Sequence, residues 1–434
     1  MSSLQLPPIK SAAGLVAWMR EAAPYIHAFR GKTFVVAAGG EAFVEHAFAG
    51  LAQDLNLLAS LGVRLVFAHG ARPQIEGALA AHNVASRYVR GIRVSDEAAL
   101  GIVKQETGKL RLEIEAALSS AAFSKRIAGG NFVIARPLGV IDGVDLKYSG
   151  EVRRIAARAI GDHLDLGEIV VISPLGFSPS GEVFNLTLEN VATETAIALN
   201  ADKLIFLAED DGIRDSQGKL LRELRASDLE ALIESAPVAS PYLACALRAA
   251  ESGVERVHVL NRRVDGALLL ELFTHGGIGS MATRDPIEKL RQAAIEDVNS
   301  ILRLLKPLEV EGALVQRTRE LLESDLERFS VLEHDGTIIG CVAFHPFFED
   351  GDAELACLAV HEDYRRQRCG ERLLNHVENE ARSLKMKRLF VLTTRTAHWF
   401  LERGFIETRV EALPEQKRAL YNHERRSKVL VKNL

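Results

Sequence analysis

Apolar residues in the first two-thirds of the chain follow two alternating patterns. Short, almost uninterrupted apolar runs occur at Thr33–Ala38 (TFVVAA), 63–69, 131–136, 168–173 and Lys203–Ala208 (KLIFLA), with longer amphipathic stretches at 45–61, 96–120 and 192–199. Runs this short and this apolar read as strands buried on both faces. Their alternation with helices predicts a largely parallel sheet with helices on both sides. A separate helix over 15–30, carrying Trp18, Tyr25 and Phe29, precedes the first strand, and Pro24 is expected to interrupt it.

The pattern changes after residue 282. Residues 283–290 read as a linker, with Asp285-Pro286 opening a charged helix that runs to about Leu305. A helix over 312–323 and a hairpin turning at Asp335-Gly336 follow, the Asp-Gly pair suiting a tight type I′ turn. Then come a strand at 353–360, a basic loop, and a helix at 370–384 with Leu373, Leu374, Val377, Ala381 and Leu384 on one face. Strand Arg388–Thr393, a short helix at 397–403 and two final strands complete an α+β unit of about 150 residues. The expected organisation is residues 1–282, a linker at 283–290, and residues 291–434.

Composition narrows the function classes. A chain of 434 residues exceeds one core, and 47% hydrophobic with 26% charged residues belongs to a folded globular protein. The formal charge of −5, from 53 basic and 58 acidic residues, excludes a global field for polyanions, so no nucleic-acid partner is expected. Cys245, Cys341, Cys357 and Cys369 are scattered without a CxxC pair, which argues against a disulfide framework and a structural zinc site. No metal is implied. The first ten residues lack a signal-peptide pattern, and no apolar run approaches the roughly 20 residues of a membrane span. A soluble cytoplasmic protein with no membrane partner is expected.

The chemistry concentrates in Glu354-Leu-Ala-Cys-Leu-Ala-Val-His-Glu-Asp-Tyr-Arg-Arg-Gln-Arg-Cys-Gly-Glu-Arg-Leu-Leu374, a strand running through a basic loop into a helix. Helix N-termini present unsatisfied N–H groups and bind phosphates, and Arg365, Arg366 and Arg368 add cations there. This stretch resembles motif A of the GNAT superfamily of N-acetyltransferases, (Q/R)xxGx(G/A), with Arg368 where the first glycine stands and Gly370 retained. The resemblance implies acetyl-CoA between two diverging strands. Its pantetheine would pair with Leu358, Ala359 and Val360, and its pyrophosphate would sit on Arg365, Arg366, Gln367, Arg368, Cys369, Gly370, Glu371 and Arg372.

A narrower resemblance, to the bacterial N-acetylglutamate synthases, rests on Cys357-Leu-Ala-Val360, Leu392-Thr-Thr-Arg-Thr…Trp399-Phe-Leu-Glu-Arg-Gly-Phe405 and Tyr421-Asn…Arg425-Arg-Ser-Lys-Val-Leu430. An attacking amine must lose a proton, the oxyanion needs a donor, and the leaving thiolate takes a proton. Glu354 is the candidate base, acting through a water, and the N–H near Leu358 the oxyanion donor. Cys357 reads as a pocket-lining thiol rather than a nucleophile, and Thr393 and Thr394 as groups near the leaving sulfur. Glutamate carries two carboxylates, and the resemblance assigns Arg317 and Arg426 to them, with Ser427 beside.

Residues 1–282 resemble the amino-acid kinase family through Val35-Val-Ala-Ala-Gly-Gly40, Val66-Phe-Ala-His-Gly70, Gly91-Ile-Arg-Val-Ser-Asp96, 190–201 and Leu268-Leu-Leu-Glu-Leu-Phe-Thr…Gly277-Ile-Gly-Ser-Met281. This implies a three-layer α/β/α sandwich. The family's two lysines, which stabilise charge on a migrating phosphoryl group, are Ala37 and Tyr242 here, so the unit is expected to be inactive as a kinase. The resemblance instead implies L-arginine held by His258, Glu271 and Gly277 under Tyr25, acting as an allosteric inhibitor, and a homo-oligomer, a hexamer. An active acetylglutamate kinase, a sensor of arginine and acetyl-CoA without turnover, and an acetyltransferase for another amine remain alternatives.

Overall fold

A computed structural model describes residues 12–44, 48–120, 125–235, 241–274, 277–284, 288–334, 336–365, 368–423 and 425–434. The chain divides into two compact units, Met1–Asp285 and Pro286–Leu434.

In the first unit four of the apolar runs become β1 (Thr33–Ala38), β2 (Arg64–His69), β4 (Ile169–Ile172) and β5 (Lys203–Ala208), and further strands β3 (Ile127–Gly129), β6 (Glu223–Arg225), β7 (Arg256–Asn261) and β8 (Ser280–Thr283) join them. They form one sheet in the order β6-β8-β7-β5-β1-β2-β4-β3, parallel except where β8 meets β7. Because side chains alternate along a strand, the solid runs feed two cores. Val35, Ala37, Val66, Ala68, Leu204 and Phe206 enter one, and Phe34, Val36, Leu65, Phe67, Ile205 and Leu207 the other. Helices close both faces, giving the three-layer sandwich. The longest, Glu97–Ser119, starts where the Asp96 carboxylate accepts the Ala99 N–H at 2.9 Å and buries Leu100, Val103, Leu110, Ile114 and Leu118.

Two expectations for this unit are corrected. The amino-terminal helix runs unbroken from Ala12 to Phe29. A mid-helix proline removes one backbone hydrogen bond, but Ala22, Tyr25, Ile26 and Phe29 pack against the second core and hold the turn together. The run at 131–136 is not in the main sheet. Val133–Pro137 pairs antiparallel with Gly150–Ile155 in a separate four-stranded sheet, a choice of partner that apolar content does not encode.

In the second unit β9 (Glu288–Gln292), β10 (Phe329–His334), β11 (Thr337–Phe347), β12 (Asp352–Val360), β13 (Arg388–Thr393), β14 (Ile406–Thr408) and β15 (Lys428–Asn433) form a sheet ordered β9-β10-β11-β12-β13-β15-β14. Helix Cys369–Ser383 covers one face through Leu373, Leu374, Val377 and Ala381, and helix Val298–Val310 the other through Val298, Ile301 and Leu305. The expected linker and charged helix are different in the structure. Residues 288–292 pair with β10 as an edge strand whose charged side chains suit an exposed edge, and the helix begins only at Val298. The expected helix over 312–323 is confined to Arg319–Ser324, because Gly312 takes φ 73° just beyond the preceding helix and Thr318 caps the next one. Asp335 of the expected turn lies outside the described residues, and Gly336 has φ 77°. No described helix is long and apolar enough to cross a membrane.

Candidate active site

Strands β12 and β13 run parallel but pair only over Asp352–Glu354 and Arg388–Phe390, a base clamped by the Arg388–Asp352 ion pair. Beyond it they diverge. Each keeps its outer partner, β11 for β12 and β15 for β13, so the inner edges from Leu355 and Val391 onward have no strand to pair with. Unpaired main-chain groups along an open strand edge accept an extended ligand. The gap is a cleft of about 610 Å³ whose lining includes Cys357, Leu358, Ala359, Val360, Thr393 and Trp399. That size lies within the usual small-molecule range of roughly 300–1,000 Å³.

At one end of the cleft the helix Cys369–Ser383 presents its N-terminus. Its N-cap is Arg368, with a left-handed backbone (φ 59°) and a side chain that makes no capping hydrogen bond to the first turn. The family glycine is thus replaced without losing the turn, at a conformational cost of about 1–2 kcal/mol. At Gly370 a Cβ would lie 3.3 Å from the Trp399 ring, a tight approach that the ring would have to yield a few tenths of an ångström to admit. Arg365, Arg368, Gly370 and Glu371 line the cleft, and Glu371 is held by Arg403 at 2.7 Å, whose guanidinium stacks 3.9 Å from the Trp399 centroid. Amides at a helix end surrounded by arginines suit a phosphate or pyrophosphate.

Toward the middle of β12 a bulge sets the chemistry. Three residues of β11, Cys341–Ala343, oppose four of β12, Ala356–Ala359, and Cys357 takes φ 53°. Ala356 and Cys357 consequently both join the core beneath helix Val298–Val310, whereas regular alternation would send one of them to the opposite face. Burial pushes the Cys357 thiol up, with Arg317 opposing and Glu354 adding to the rise, so it stays protonated and is a poor nucleophile. Three residues earlier, Glu354 is 7% exposed and paired with Lys417 at 2.7 Å. Burial raises its pKa, while Lys417 and Arg317 pull it back. A carboxyl poised between these influences can hold or release a proton.

The comparisons agree along the whole chain. Residues 32–261 match the amino acid kinase family and residues 295–405 the acetyltransferase (GNAT) family. The amino-acid acetyltransferase of Ralstonia nicotianae is 49% identical, covering 99% of this chain and 97% of its own, and that of Azotobacter vinelandii 49%, covering 96% and 99%. The chain belongs to the amino-acid acetyltransferase family. Among solved structures, N-acetylglutamate synthase from Neisseria gonorrhoeae complexed with coenzyme A and L-arginine matches with TM-score 0.85 and 41% identity, covering 96% of this chain and 99% of that one. The same enzyme complexed with coenzyme A and N-acetyl-glutamate matches with TM-score 0.61 and 42% identity over the same shares.

Not every residue expected at the acetyltransferase cleft lies there. Cys369 is fully buried in the core, and Arg372 is ion-paired to Glu288 on the edge strand. Arg366 and Gln367 lie outside the described residues. The Thr393 hydroxyl lines the cleft but also accepts the Thr396 N–H at 3.0 Å, which ties the strand end to the next turn, and Thr394 reaches the Gly312 carbonyl at 3.2 Å. Arg317 is 3.3 Å from Asp325 and close enough to influence both Glu354 and Cys357. Arg425 caps the carbonyls of Gly312 and Ala313, while its neighbour Arg426 is exposed with φ 51° and Ser427 is buried. Sequence reasoning missed Trp399, Arg403 and Lys417. The first two stood within a quoted motif, but Lys417 sits in Glu415-Gln-Lys-Arg-Ala419, which reads as an ordinary solvated helix.

In the acetyltransferase's first unit, His258 on β7 meets Glu271 on helix Ala267–Phe273 at 2.7 Å. The other Glu271 oxygen accepts the Ile278 and Gly279 amides at 2.6 and 3.2 Å. Gly277 has φ 52°, and a Cβ there would come within 2.7 Å of the carboxylate. Burial opposes the charge, yet His258 and the two amides together bring Glu271 down to about 2. Tyr25 is half-buried, and its neighbour Phe29 packs on Phe273 of the Glu271 helix at 5.7 Å between ring centroids. A second cleft, of about 240 Å³, lies near Gly39, Gly40, Gly70, Arg93 and Tyr242; among the described residues no lysine lines it.

Proposed function

We propose that this acetyltransferase moves the acetyl group of acetyl-CoA to the α-amine of L-glutamate, giving N-acetyl-L-glutamate as the first step of arginine biosynthesis. The observation that carries the reading is the open strand pair, with an arginine-flanked helix N-terminus on one side and the Glu354–Arg317–Cys357 cluster at the bulge. The Neisseria gonorrhoeae complexes with coenzyme A, N-acetyl-glutamate and L-arginine support the ligand identities.

The pantetheine arm lies along the open edge of β12 at Leu358, Ala359 and Val360, with the pyrophosphate at the 365–372 loop. Arg317 and Arg426 take the two substrate carboxylates, and Ser427 lies beside them. Glu354 accepts one proton from the substrate ammonium, directly or through a water. The freed lone pair attacks the thioester carbonyl carbon, and the oxyanion is met by an N–H near Leu358. Collapse breaks the C–S bond, the nitrogen gives up a second proton, and the departing sulfur leaves as a thiol. The sum is ammonium plus thioester giving amide, thiol and one proton. General-base assistance of this kind contributes about 10²- to 10⁴-fold.

The first unit is assigned to regulation and assembly rather than phosphoryl transfer, in a cytoplasmic enzyme. Arginine bound near His258, Glu271, Gly277 and Tyr25 would inhibit by favouring one of two arrangements with different affinity for it. Val16 and Met19 are exposed on the amino-terminal helix, where a subunit contact would cover them, and light scattering would measure the expected homo-hexamer. Arg368, which stands where the GNAT motif has a glycine, takes a left-handed backbone that glycine would also adopt, so the substitution does not favour a sensor without turnover. The deciding experiment follows thiol release from acetyl-CoA. Glutamate-dependent release suppressed by L-arginine is expected; release without glutamate dependence overturns the substrate, and indifference to arginine overturns the regulatory assignment.

A further inference from the structure

Lys417 has no part in the steps above, yet it makes the ion pair on the proposed base. Its ammonium lies 2.7 Å from Glu354 Oε2, with the two side chains 25% and 7% exposed. The groups facing Glu354 come from several elements. Arg317 approaches from the loop before helix Arg319–Ser324, and Cys357 from β12 itself. His345 stands opposite on β11, and Phe390 on β13 completes the register without a charge. His345 is kept neutral by burial, and its Nδ1 accepts a hydrogen bond from Arg328 at 2.7 Å. Among the described residues Arg317 and Lys417 are therefore the cations that act on Glu354, and Arg317 is already shared with Asp325.

The anchoring of Lys417 is what sets it apart. It rides on Glu415–Ala419, a five-residue helix with no buried residue, and reaches inward on a flexible four-carbon stem. An ammonium on a carboxylate stabilises the anion and makes it a weaker base. It also occupies the position that the substrate ammonium must approach to hand over its proton. An amino acid arrives with both charges, so its carboxylate can draw the lysine away while its ammonium takes the lysine's place.

We propose that Lys417 is a substrate-displaced latch, which holds Glu354 as a paired carboxylate in the free enzyme and transfers its ammonium to a carboxylate of the bound amino acid. Lys417 is thereby a positioning and specificity residue for the α-amino dicarboxylate reading, on which the proposal rests. No covalent bond changes in the exchange; one ion pair is replaced by two, Lys417 with the substrate carboxylate and Glu354 with the substrate ammonium. The same exchange discriminates against simple amines, which bring no carboxylate to move the lysine.

The test is the pH dependence of kcat and kcat/KM for wild type, Lys417→Gln and Lys417→Arg, with Glu354→Gln alongside. In wild type the acidic limbs of kcat and kcat/KM should coincide, because the substrate ammonium takes the place of the lysine ammonium on the base. Lys417→Gln should raise the acidic limb of kcat/KM by about one pH unit, leave that of kcat in place, and raise KM for glutamate about tenfold with KM for acetyl-CoA unchanged. Lys417→Arg should restore the glutamate KM and the coincident limbs. A wild-type glutamate KM and coincident limbs in folded Lys417→Gln would overturn the latch. Should that variant not fold, Lys417→Met, which keeps the apolar stem without the charge, is read by the same two outcomes. High activity in Glu354→Gln removes the base assignment instead, whatever the lysine variants show.

Discussion

Two buried glutamates, one in each unit, make an instructive pair. Glu271 and Glu354 have side chains 5% and 7% exposed, and each has a nitrogen partner at 2.7 Å, His258 for the first and Lys417 for the second. Yet Glu271 is driven down to about 2 and Glu354 is raised above the ordinary carboxylate value. The presence of a nitrogen partner does not by itself separate them, since each carboxylate has one. At Glu271 the hydrogen bond and charge of His258 give the largest lowering and the Ile278 and Gly279 amides add to it, so together they overcome burial, whereas at Glu354 burial outweighs Lys417 and Arg317. Fixed amides make a permanent anion that anchors a turn, and a single movable side chain leaves a group able to take up a proton.

The largest expected effect lies on Glu354. Replacement by glutamine should lower kcat about 1,000-fold, measured as thiol release, with the protein still folded. Glu271→Gln should leave kcat without arginine unchanged, remove arginine inhibition, and destabilise the first unit by about 3 kcal/mol in urea unfolding. The sign follows from the lowered value: Glu271 stabilises fully above its ordinary 4.5, and the contribution disappears as pH falls toward about 2. The variant's deficit should therefore shrink in acid, and a deficit independent of pH would break the comparison.

Glu354 should behave oppositely in stability. Its folded value is raised, so its ionisation weakens the fold as pH rises through that value. Glu354→Gln should be more stable than wild type at neutral pH and no different below the ordinary carboxylate range, as thermal melts at two pH values would record. Arg368→Gly should stabilise by about 1 kcal/mol, because the residue is left-handed, while raising KM for acetyl-CoA severalfold. The smallest effect is expected at Cys357: the alanine variant should keep kcat within about threefold, since a protonated, buried thiol is not the nucleophile.

Much of this was legible along the chain. The apolar runs at Thr33–Ala38, Lys203–Ala208 and Arg388–Thr393 are strands with those bounds, because burial on both faces of a strand leaves an unmistakable solid apolar signature. The cleft residues Leu358, Ala359, Val360, Arg365, Arg368, Gly370, Glu371 and Thr393 were legible too, since a strand-to-helix turn with basic residues is a local feature, whereas Cys369 and Arg372 turn elsewhere. The edge strand at 288–292 was misread as linker and helix because charge on an exposed edge looks like a solvated helix face.

The remaining facts depend on residues far apart in sequence. Lys417 reaches Glu354 across 63 positions, and the bulge at Cys357 arises from a register mismatch between two strands. The separation of β12 from β13 follows from which outer partner each strand keeps, not from either sequence alone. Sequence by itself determined most of the buried strands and helices, which families the two halves resemble, and which functional groups are present. Tertiary structure decided which carboxylate stays charged and which can accept a proton, because burial and hydrogen-bond donors act through space and are supplied by whatever the fold brings alongside.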